Sequence, residues 1–261
     1  MFRTIGKIIK YPRLTLKYPA KPMDSRFFIG KPEIDQSKCN NCGECISRCP
    51  SSAFKTDTGS GISIDLNRCL FCSLCEDVCK AGAICMTDKF ELASRNIKSQ
   101  TNPPFIVEDR NLPQTDFEQI GLKIKNKINR IFGRSLQIRE VDAGSCNGCD
   151  YEITAVNNPI NDIERFGIHF VASPRHADML LVTGTASRNM ELALIKTYNA
   201  TPDPKLVVAV GACACSGGIF RDSYATRNGI NTIVPVDVYI PGCPPRPQAI
   251  LYGILKAIER L

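Results

Sequence analysis

Eight of the fourteen cysteines form two runs with the same internal spacing. The first run is followed directly by proline, and it consists of Cys39, Cys42, Cys45 and Cys49. The second run consists of Cys69, Cys72, Cys75 and Cys79. Each run has the pattern C-x2-C-x2-C-x3-C, and all four pairs of counterparts are separated by the same offset. Residues 39–79 therefore contain an internal duplication of a thiol-rich unit.

This spacing is typical of the ligand runs that hold four-iron, four-sulfur (4Fe-4S) clusters in bacterial ferredoxins. Three thiolates on a tight loop converge on one cluster, whereas the fourth begins a helix, points away and ligates the other cluster. One predicted ligand set is Cys39, Cys42, Cys45 and Cys79. The other is Cys69, Cys72, Cys75 and Cys49. Disulfides or paired zinc sites explain the pattern less completely, because a zinc site needs only two C-x-x-C pairs. The expected chemistry is electron transfer.

The positive charge is concentrated at the start of the chain. Residues 1–31 hold eight basic residues and one acidic residue, which accounts for the whole net charge of +7. Apolar residues alternate with these cations at helical spacing, namely Phe2, Ile5, Ile8 and Ile9. This pattern favours a short amphipathic helix that lies on an anionic membrane surface or on a membrane-embedded partner. A solvated tail is the plain alternative, and nucleic acid is not expected because no recognition motif accompanies the arm.

The sequence has no apolar run of about eighteen residues that could span a bilayer. Neither a secretory signal nor a twin-arginine signal is expected from the basic residues spread through the first segment. The cysteine spacings match metal ligation, which suits a reducing compartment better than disulfides do. We therefore expect a peripheral protein on the cytoplasmic face of the cell membrane.

Composition divides the chain into four segments. A basic arm covers residues 1–31, a cluster-binding α+β domain covers 32–99, a proline-containing linker covers 100–116, and a second domain covers 117–261. The cluster-binding domain has strand candidates at 61–65 and 83–87. In the second domain, an amphipathic basic helix begins at Phe117, and strands are expected at 136–141, 168–171, 179–183, 206–210 and 236–240. Helices are expected at 150–156, 189–198 and 246–261. Short apolar strands that alternate with helices predict a mostly parallel sheet covered on both faces.

Three loops that follow predicted strands of the second domain carry cysteines. Ligands of parallel sheets collect at the carboxyl ends of the strands, and glycines in these loops let the backbone approach a cluster closely. The loops therefore predict a third 4Fe-4S cluster. Its predicted ligands are Cys146, Cys149, Cys213 and Cys243. Two cysteines remain, Cys85 and Cys215, and both are expected to be small buried residues. Cys215 is also a candidate to exchange with Cys213.

The second domain resembles the small, cluster-bearing subunit that nickel–iron hydrogenases share with respiratory complex I. The matching segments are Ser145-Cys146-Asn147-Gly148-Cys149-Asp150-Tyr151-Glu152, Ser173-Pro174-Arg175-His176-Ala177-Asp178, Gly-x-Cys-x-x-x-Gly-Gly at 211–218, and Pro241-Gly242-Cys243-Pro244-Pro245-Arg246-Pro247. The resemblance implies a flavodoxin-like sheet with one proximal 4Fe-4S cluster on the four cysteines named above. The first domain resembles the two-cluster ferredoxin subunit of the same assemblies, including Thr15-Leu16-Lys17-Tyr18-Pro19 and Lys89-Phe90-Glu91-Leu92-Ala93. The chain thus looks like two subunits joined end to end, with three 4Fe-4S clusters in total.

The spacing of the first two ligands separates the branches of this family. Complex I small subunits have adjacent cysteines there, whereas Cys146 and Cys149 are separated by two residues, as in the hydrogenase branch. The resemblance therefore implies an electron-relay subunit of a membrane-bound, energy-converting hydrogenase, the group that contains the formate hydrogenlyase and Ech-type enzymes. The implied partners are a large subunit with the nickel–iron site, integral membrane subunits, and a soluble ferredoxin or formate-oxidising donor. A complex I-like quinone or polysulfide reductase subunit is the alternative, and a free-standing electron carrier is a weaker one.

Some residues near these motifs have roles that stay open. Glu152 could relay a proton or could simply stabilise the start of a helix. His176 could lie near a partner interface, but a hydrogen-bonded structural role is the favoured alternative. Arg175 and Arg246 could donate to a cluster sulfur or pair with a carboxylate of a partner, although interface packing is the more common arrangement. Lys80 follows the second cysteine run where ferredoxins usually have proline.

Overall fold

The computed structural model describes residues 6–7, 10–11, 14–19, 28–56, 61–97 and 117–259, with the side chains of 117–121 outside that description. Of the predicted amphipathic helix in the arm, residues 6, 7 and 10 are helical, and the N–H of Tyr11 donates to the carbonyl of Lys7. The apolar residues on which that helix was predicted lie outside the described residues, as does the predicted linker at 100–116.

The duplicated region consists of two antiparallel strand pairs and two short helices. Strand β1 (Pro32–Ile34) pairs with β4 (Ile84–Met86), and β2 (Phe54–Thr56) pairs with β3 (Ile62–Ile64). Helix α1 (Glu44–Arg48) and helix α2 (Leu74–Asp77) occupy equivalent places in the two repeats. Both strands expected from the sequence, at 61–65 and 83–87, are confirmed as β3 and β4. Their partners, β1 and β2, were not predicted.

The second domain contains one five-stranded parallel sheet. Its strands are β5 (Leu136–Asp142), β6 (Ile168–Phe170), β7 (Met179–Thr183), β8 (Leu206–Val210) and β9 (Val238–Ile240). They lie in the order β6-β5-β7-β8-β9, and every neighbouring pair is parallel. All five predicted strands are therefore confirmed, although the last begins at Val238 and not at residue 236.

Helices cover both faces of this sheet. They are α3 (Phe117–Phe132), α4 (Gly148–Val156), α5 (Arg188–Ala200), α6 (Gly211–Ser216) and α7 (Pro247–Ile258). Alternate residues of a strand point to opposite faces, so Val208 packs in a core with α4 and α7, whereas Val207 packs in a second core with α5 and α6. Burying each such side chain contributes about 1.5–3 kcal/mol. Helix α3 buries Ile128 completely against the first core, so its apolar face packs on its own domain.

Two segments connect the duplicated region and the arm to the sheet. Ser94 forms an antiparallel bridge with Tyr239, which extends the β9 edge of the sheet by one backbone segment. Residues 14–19 of the arm lie along the turn between α4 and β6, where the N–H of Leu16 donates to the carbonyl of Ile160 at 2.8 Å. The Arg165 guanidinium donates to the carbonyls of Leu16 and Tyr18, at 2.8 and 2.6 Å. This part of the arm is therefore attached to the second domain.

Among the described residues, no helix combines the length and the hydropathy needed to cross a membrane.

Candidate iron–sulfur sites

The first group of thiols lines one small cavity beside α1. Its members are Cys39, Cys42, Cys45 and Cys79, and the cavity is otherwise walled mainly by apolar residues of β1, β3 and β4. Cys45 is buried, and the other three thiols influence its ionisation, so the four sulfurs surround one space. The structure thus brings together the four residues that the spacing predicts for one cluster. We call them thiol group 1.

The second group repeats this arrangement on the other side of the duplication. Its members are Cys49, Cys69, Cys72 and Cys75, which line a second small cavity together with Pro50, Phe54 and Met86. The similarity of the two cavities reflects the internal duplication. Each group takes three thiols from one run and one from the other, as the sequence predicts. We call this set thiol group 2.

The two cysteine loops turn at equivalent positions. Asn41 and Phe71 have φ values of 54° and 55°, and Gly43 and Ser73, which precede α1 and α2, have φ values of 76° and 63°. These left-handed residues fold each loop back so that its first three sulfurs face one side. One detail of the prediction is wrong: the fourth cysteine does not begin a helix. Cys49 follows the end of α1, and Cys45 is the cysteine inside that helix.

Thiol group 3 lies at the carboxyl edge of the parallel sheet. Its members are Cys146, Cys149, Cys213 and Cys243. They come from the loop after β5, the start of α4, helix α6 after β8, and the loop after β9. The other three thiols all contribute to the pKa of Cys149, which places them around it. The predicted loop at 211–218 is wrong in part, because residues Gly211–Ser216 form helix α6.

Gly211 makes room for thiol group 3. Its φ is +88°, and a Cβ atom added there would lie only 2.6 Å from Cys149 Sγ. Ordinary non-bonded contacts are about 3.5–4.0 Å, so a side chain at this position would displace the sulfur. The glycine therefore lets the α6 backbone approach a thiol that faces the centre of the group.

Burial keeps several of these thiols protonated in the absence of a positive partner. It raises the pKa of Cys69 to about 12, against an opposing hydrogen bond from the N–H of Phe71, and it raises the pKa of Cys75 to about 11. In thiol group 3, burial and then Cys243 raise the pKa of Cys213 to about 11, and burial takes the pKa of Cys149 well above its usual range. Thiols crowded in this way bind iron in exchange for their protons, because only a positively charged group can hold them as thiolates.

Backbone N–H groups also point at the sulfurs. Ala53 donates to Cys49 Sγ and Ala83 donates to Cys79 Sγ, both at 3.3 Å, and Phe71 donates to Cys69 Sγ at 3.4 Å. Such bonds stabilise negative charge on a ligating sulfur and tune the potential of the group it holds. Within the described ranges, no three His, Cys, Asp or Glu side chains converge on a single ion position. Four thiols spread around a cavity suit a cluster, since each binds a different iron.

Thiol groups 2 and 3 are neighbours. Cys72 of group 2 is close enough to Cys243 of group 3 to raise its pKa, after the larger effects of burial and Cys146. The Ser216 hydroxyl on α6 donates to the carbonyl of Asn67, two residues before Cys69, at 2.8 Å. The two regions thus meet along the cysteine loops themselves.

The two surplus cysteines have different surroundings. Cys85 is exposed on β4, so the expectation that it is buried is wrong. Cys215 is fully buried, and its Sγ lies 3.8 Å from the carbonyl oxygen of Ala209 and 3.7 Å from that of Ile240. Its thiol therefore donates towards the strands, whereas half-exposed Cys213 on the same helix belongs to thiol group 3. Lys80 is exposed beside Cys79.

Among the other residues singled out from the sequence, Glu152 and Arg246 follow cysteines of thiol group 3, whereas Arg175 and His176 lie just before the amino end of β7. Burial raises the pKa of Glu152, and Arg246 opposes this effect. The Arg246 guanidinium stacks on the Phe28 ring, 4.4 Å from its centroid, so this arginine packs within the chain. Arg175 and His176 are exposed, and the His176 carbonyl accepts from Arg134 at 3.5 Å.

A carboxyl pair near this site was not predicted. Asp150 follows Cys149 and accepts the hydroxyls of Ser145 and Thr183, at 2.5 and 2.7 Å. Its carboxyl group is also within hydrogen-bonding range of Glu140 on β5. The available signal was Glu140 itself, a charged residue inside a predicted core strand.

Two family comparisons cover the three thiol groups. Residues 38–84 match the 4Fe-4S dicluster domain, and residues 146–257 match the family described as NADH ubiquinone oxidoreductase, 20 kDa subunit. The probable membrane-bound hydrogenase subunit mbhJ of Pyrococcus furiosus is 52% identical over 136 residues, which are 52% of this chain and 81% of that protein. The chain belongs to this 20 kDa-subunit family. The family description is that of an oxidoreductase subunit, and residues 38–84 add a 4Fe-4S domain.

Two further relatives are matched over a smaller part of their own length. Formate hydrogenlyase subunit 7 of Escherichia coli is 48% identical over 150 residues, 58% of each chain. An NADH-quinone oxidoreductase subunit of Geobacter metallireducens is 50% identical over 113 residues, 43% of this chain and 66% of that one. The chain thus spans less than two thirds of these two relatives. A chain of the archaeal membrane-bound sulfane sulfur reductase is 37% identical, with a TM-score of 0.44 over 54% of this chain and 74% of that chain.

Proposed function

We propose that this chain is the electron-relay subunit of a membrane-bound nickel–iron hydrogenase complex, with the catalytic metal site in a partner large subunit. Three 4Fe-4S clusters, held by thiol groups 1, 2 and 3, would supply one-electron chemistry. The observation that carries the proposal is the proximity of Cys72 to Cys243, which joins the dicluster region to the 20 kDa-subunit-like region. The relatives named as membrane-bound hydrogenase and formate hydrogenlyase subunits support the hydrogenase assignment.

The residues of the chain set the order of the relay. Cys72 and Cys243 belong to adjacent groups, so group 2 is the neighbour of group 3, and group 1 is the entry from the donor side. The donor is a soluble ferredoxin or a formate-oxidising protein. The backbone N–H groups that donate to the sulfurs of Cys49, Cys69 and Cys79 favour the reduced, more negative state of the clusters that these sulfurs would hold.

The fold supports a division into two formerly separate units. We infer that residues 32–99 are a ferredoxin-like domain, that 100–116 are a linker, and that 117–261 are a flavodoxin-like domain. The strand order β6-β5-β7-β8-β9 corresponds to 2-1-3-4-5 in that domain, which is the flavodoxin-like order. Thiol group 3 would then occupy the carboxyl edge, where ligands of such sheets bind.

The basic arm suits a peripheral position on the cytoplasmic face of the membrane, beside integral membrane subunits. Residues 1–31 carry the whole net charge of +7, and each cation near an anionic surface contributes about 1 kcal/mol. Residues 14–19 are attached to the second domain, so the arm would orient that domain towards the membrane side of the complex.

A second candidate is a quinone- or polysulfide-reducing subunit of a complex I-like enzyme. The relatives named as NADH-quinone oxidoreductase subunits favour it, since they are about as similar over the shared region. The separation of Cys146 and Cys149 by two residues favours the hydrogenase. A partner large subunit with two further C-x-x-C pairs would decide between them.

The test uses the assembled complex, purified without oxygen. We expect about twelve iron atoms per chain and reduction of all three clusters under hydrogen, followed by electron paramagnetic resonance. Cys243→Ser should prevent hydrogen from reducing the clusters of groups 1 and 2, while dithionite still reduces them. Cys85→Ser, at an exposed cysteine outside the three groups, is the matched control. Hydrogen that reduces groups 1 and 2 equally well in Cys243→Ser would contradict the relay, and a wild-type complex that does not react with hydrogen would exclude a hydrogenase.

A further inference from the structure

The duplicated region contains one hydrogen bond that has no counterpart in the other repeat. The fourth cysteine begins the segment Cys49-Pro50-Ser51-Ser52-Ala53 in the first repeat and Cys79-Lys80-Ala81-Gly82-Ala83 in the second. In both repeats, the alanine that ends the segment donates its N–H to the sulfur of that cysteine, at 3.3 Å. The first repeat adds the hydroxyl group of Ser51, which lies 3.7 Å from Cys49 Sγ. At the equivalent position of the second repeat, Ala81 has only a methyl group.

The surroundings of Ser51 make its hydroxyl group the donor in this contact. Ser51 is 5% exposed and lines the cavity of thiol group 2, just as Ala81 lines the cavity of thiol group 1. Among the described residues, Cys49 Sγ is the one hydrogen-bond partner of the Ser51 hydroxyl. A cysteine that binds metal does so as a thiolate, which has no proton to donate. The buried hydroxyl therefore donates to the sulfur, because a buried donor without an acceptor is costly.

The other contacts of the two thiol groups correspond to each other. At the first cysteine of each run, the N–H of Phe71 donates to the sulfur in group 2 at 3.4 Å, and the side-chain amide of Asn41 lies 3.7 Å from the sulfur in group 1. Lys80 stands where the first repeat has Pro50, and its charge favours added electrons on group 1. Lys80 is exposed, however, and water and salt screen an exposed charge. The buried Ser51 hydroxyl, in contact with a sulfur, is therefore the larger difference between the groups.

We propose that Ser51 makes the cluster on thiol group 2 easier to reduce than the cluster on thiol group 1. The proposal rests on the proposed function, because it needs a 4Fe-4S cluster on each group. The Ser51 hydroxyl stabilises the negative charge that reduction adds at Cys49 Sγ, and Ala81 cannot do the same for Cys79 Sγ. One electron that leaves group 1 arrives on group 2, and Ser51 keeps its proton throughout. Electrons from the donor therefore collect on group 2, which is the neighbour of group 3.

The test is the midpoint potential of each of these two clusters in the full complex, measured by redox titration with electron paramagnetic resonance. The signals of groups 1 and 2 are assigned by which of them changes in Cys42→Ser and which in Cys72→Ser. Ser51→Ala should weaken the reduction of group 2 by about threefold to tenfold, which lowers its midpoint potential by about 28–59 mV for one electron. The potential of group 1 should stay unchanged. Ser52→Ala, at the neighbouring exposed serine, is the matched control and should change neither potential.

The inverse variant uses the duplication itself and does not depend on the stability of Ser51→Ala. Ala81→Ser places a hydroxyl at the equivalent position of the second repeat, so it should raise the potential of group 1 and leave that of group 2 unchanged. An unchanged potential in either variant, or an equal shift of both clusters, would overturn the proposal. A wild-type chain that holds zinc and no iron at groups 1 and 2 would overturn the proposed function itself, so the two failures are distinguishable.

Discussion

Replacing Gly211 by alanine should remove the third cluster and leave the other two in place. The added Cβ atom would lie 2.6 Å from Cys149 Sγ, about 1 Å inside ordinary contact distance. To remove this overlap, the sulfur or the α6 backbone must move by a similar distance. Metal ligation tolerates errors of only about 0.2 Å in ligand distance. The displacement is several times larger than this tolerance, so the steric effect on the site decides the outcome.

Backbone strain is a separate cost of the same substitution, and a control variant isolates it. Gly211 has a φ of +88°, which costs a non-glycine residue about 1–2 kcal/mol. Gly133 lies in the same domain with a φ of +67°, and a Cβ atom there would meet no atom within 4 Å. Gly133→Ala should therefore lose similar stability and keep all three clusters.

The assay is anaerobic iron analysis combined with electron paramagnetic resonance of the reduced protein. In Gly211→Ala the iron content should fall by about a third, from about twelve to about eight atoms per chain, and the third signal should vanish. Gly133→Ala should match the wild type in both measurements. If Gly211→Ala retains full iron and three signals, the close approach of Gly211 to Cys149 has no part in forming the site. If both variants lose the third signal, general destabilisation is the cause.

Further outcomes follow from individual contacts. Cys213→Ser should abolish the third resonance signal, whereas Cys215→Ser should retain it, because the Cys215 thiol faces the carbonyls of Ala209 and Ile240. The reverse result would mean that Cys215, and not Cys213, is the ligand. Arg165→Ala should release residues 14–19 and accelerate tryptic cleavage at Lys17, since charge-assisted bonds contribute about 1.5–3 kcal/mol each; unchanged cleavage relative to a Lys256→Ala control would refute this attachment. Because the raised pKa of Glu140 means that the folded state binds its proton more tightly, its contribution to stability is greatest below pH 4.5 and is lost as the pH rises to about 8. Denaturant unfolding of Glu140→Gln should lack this decline, and an identical decline in both proteins would contradict it.

The parallel sheet was predictable because its strands are short apolar runs. Residues 179–183 and 206–210 are buried at every position, and this continuous burial is what a sheet covered on both faces requires. β1 and β2 were not predictable on that basis. Each exists through its pairing with another strand, and the partner of Pro32 is Met86, far along the chain, so pairing and not local preference creates these strands.

The membership of thiol groups 1 and 2 followed from the spacing alone, whereas the membership of group 3 needed the structure at one position. The sequence Gly211-Ala212-Cys213-Ala214-Cys215 offers two thiols and no local preference between them. Residues two apart on an α-helix differ by about 200° in direction. Once Gly211–Ser216 is helical, the two thiols must point to opposite sides, one towards Cys149 and one into the sheet.

The same reasoning explains why the Glu140 pair was missed. Alternation along β5 puts Glu140 on the face of Ile138, where an isolated carboxylate would be costly, so a partner could have been expected. The identity of that partner could not be expected, because Asp150 lies on the next helix and belongs to the motif that carries Cys146 and Cys149. Only the packing of α4 on β5 brings the two carboxyl groups together. For Glu140, a charged residue within a core strand of this sheet, the partner is therefore a residue of the nearby cysteine site.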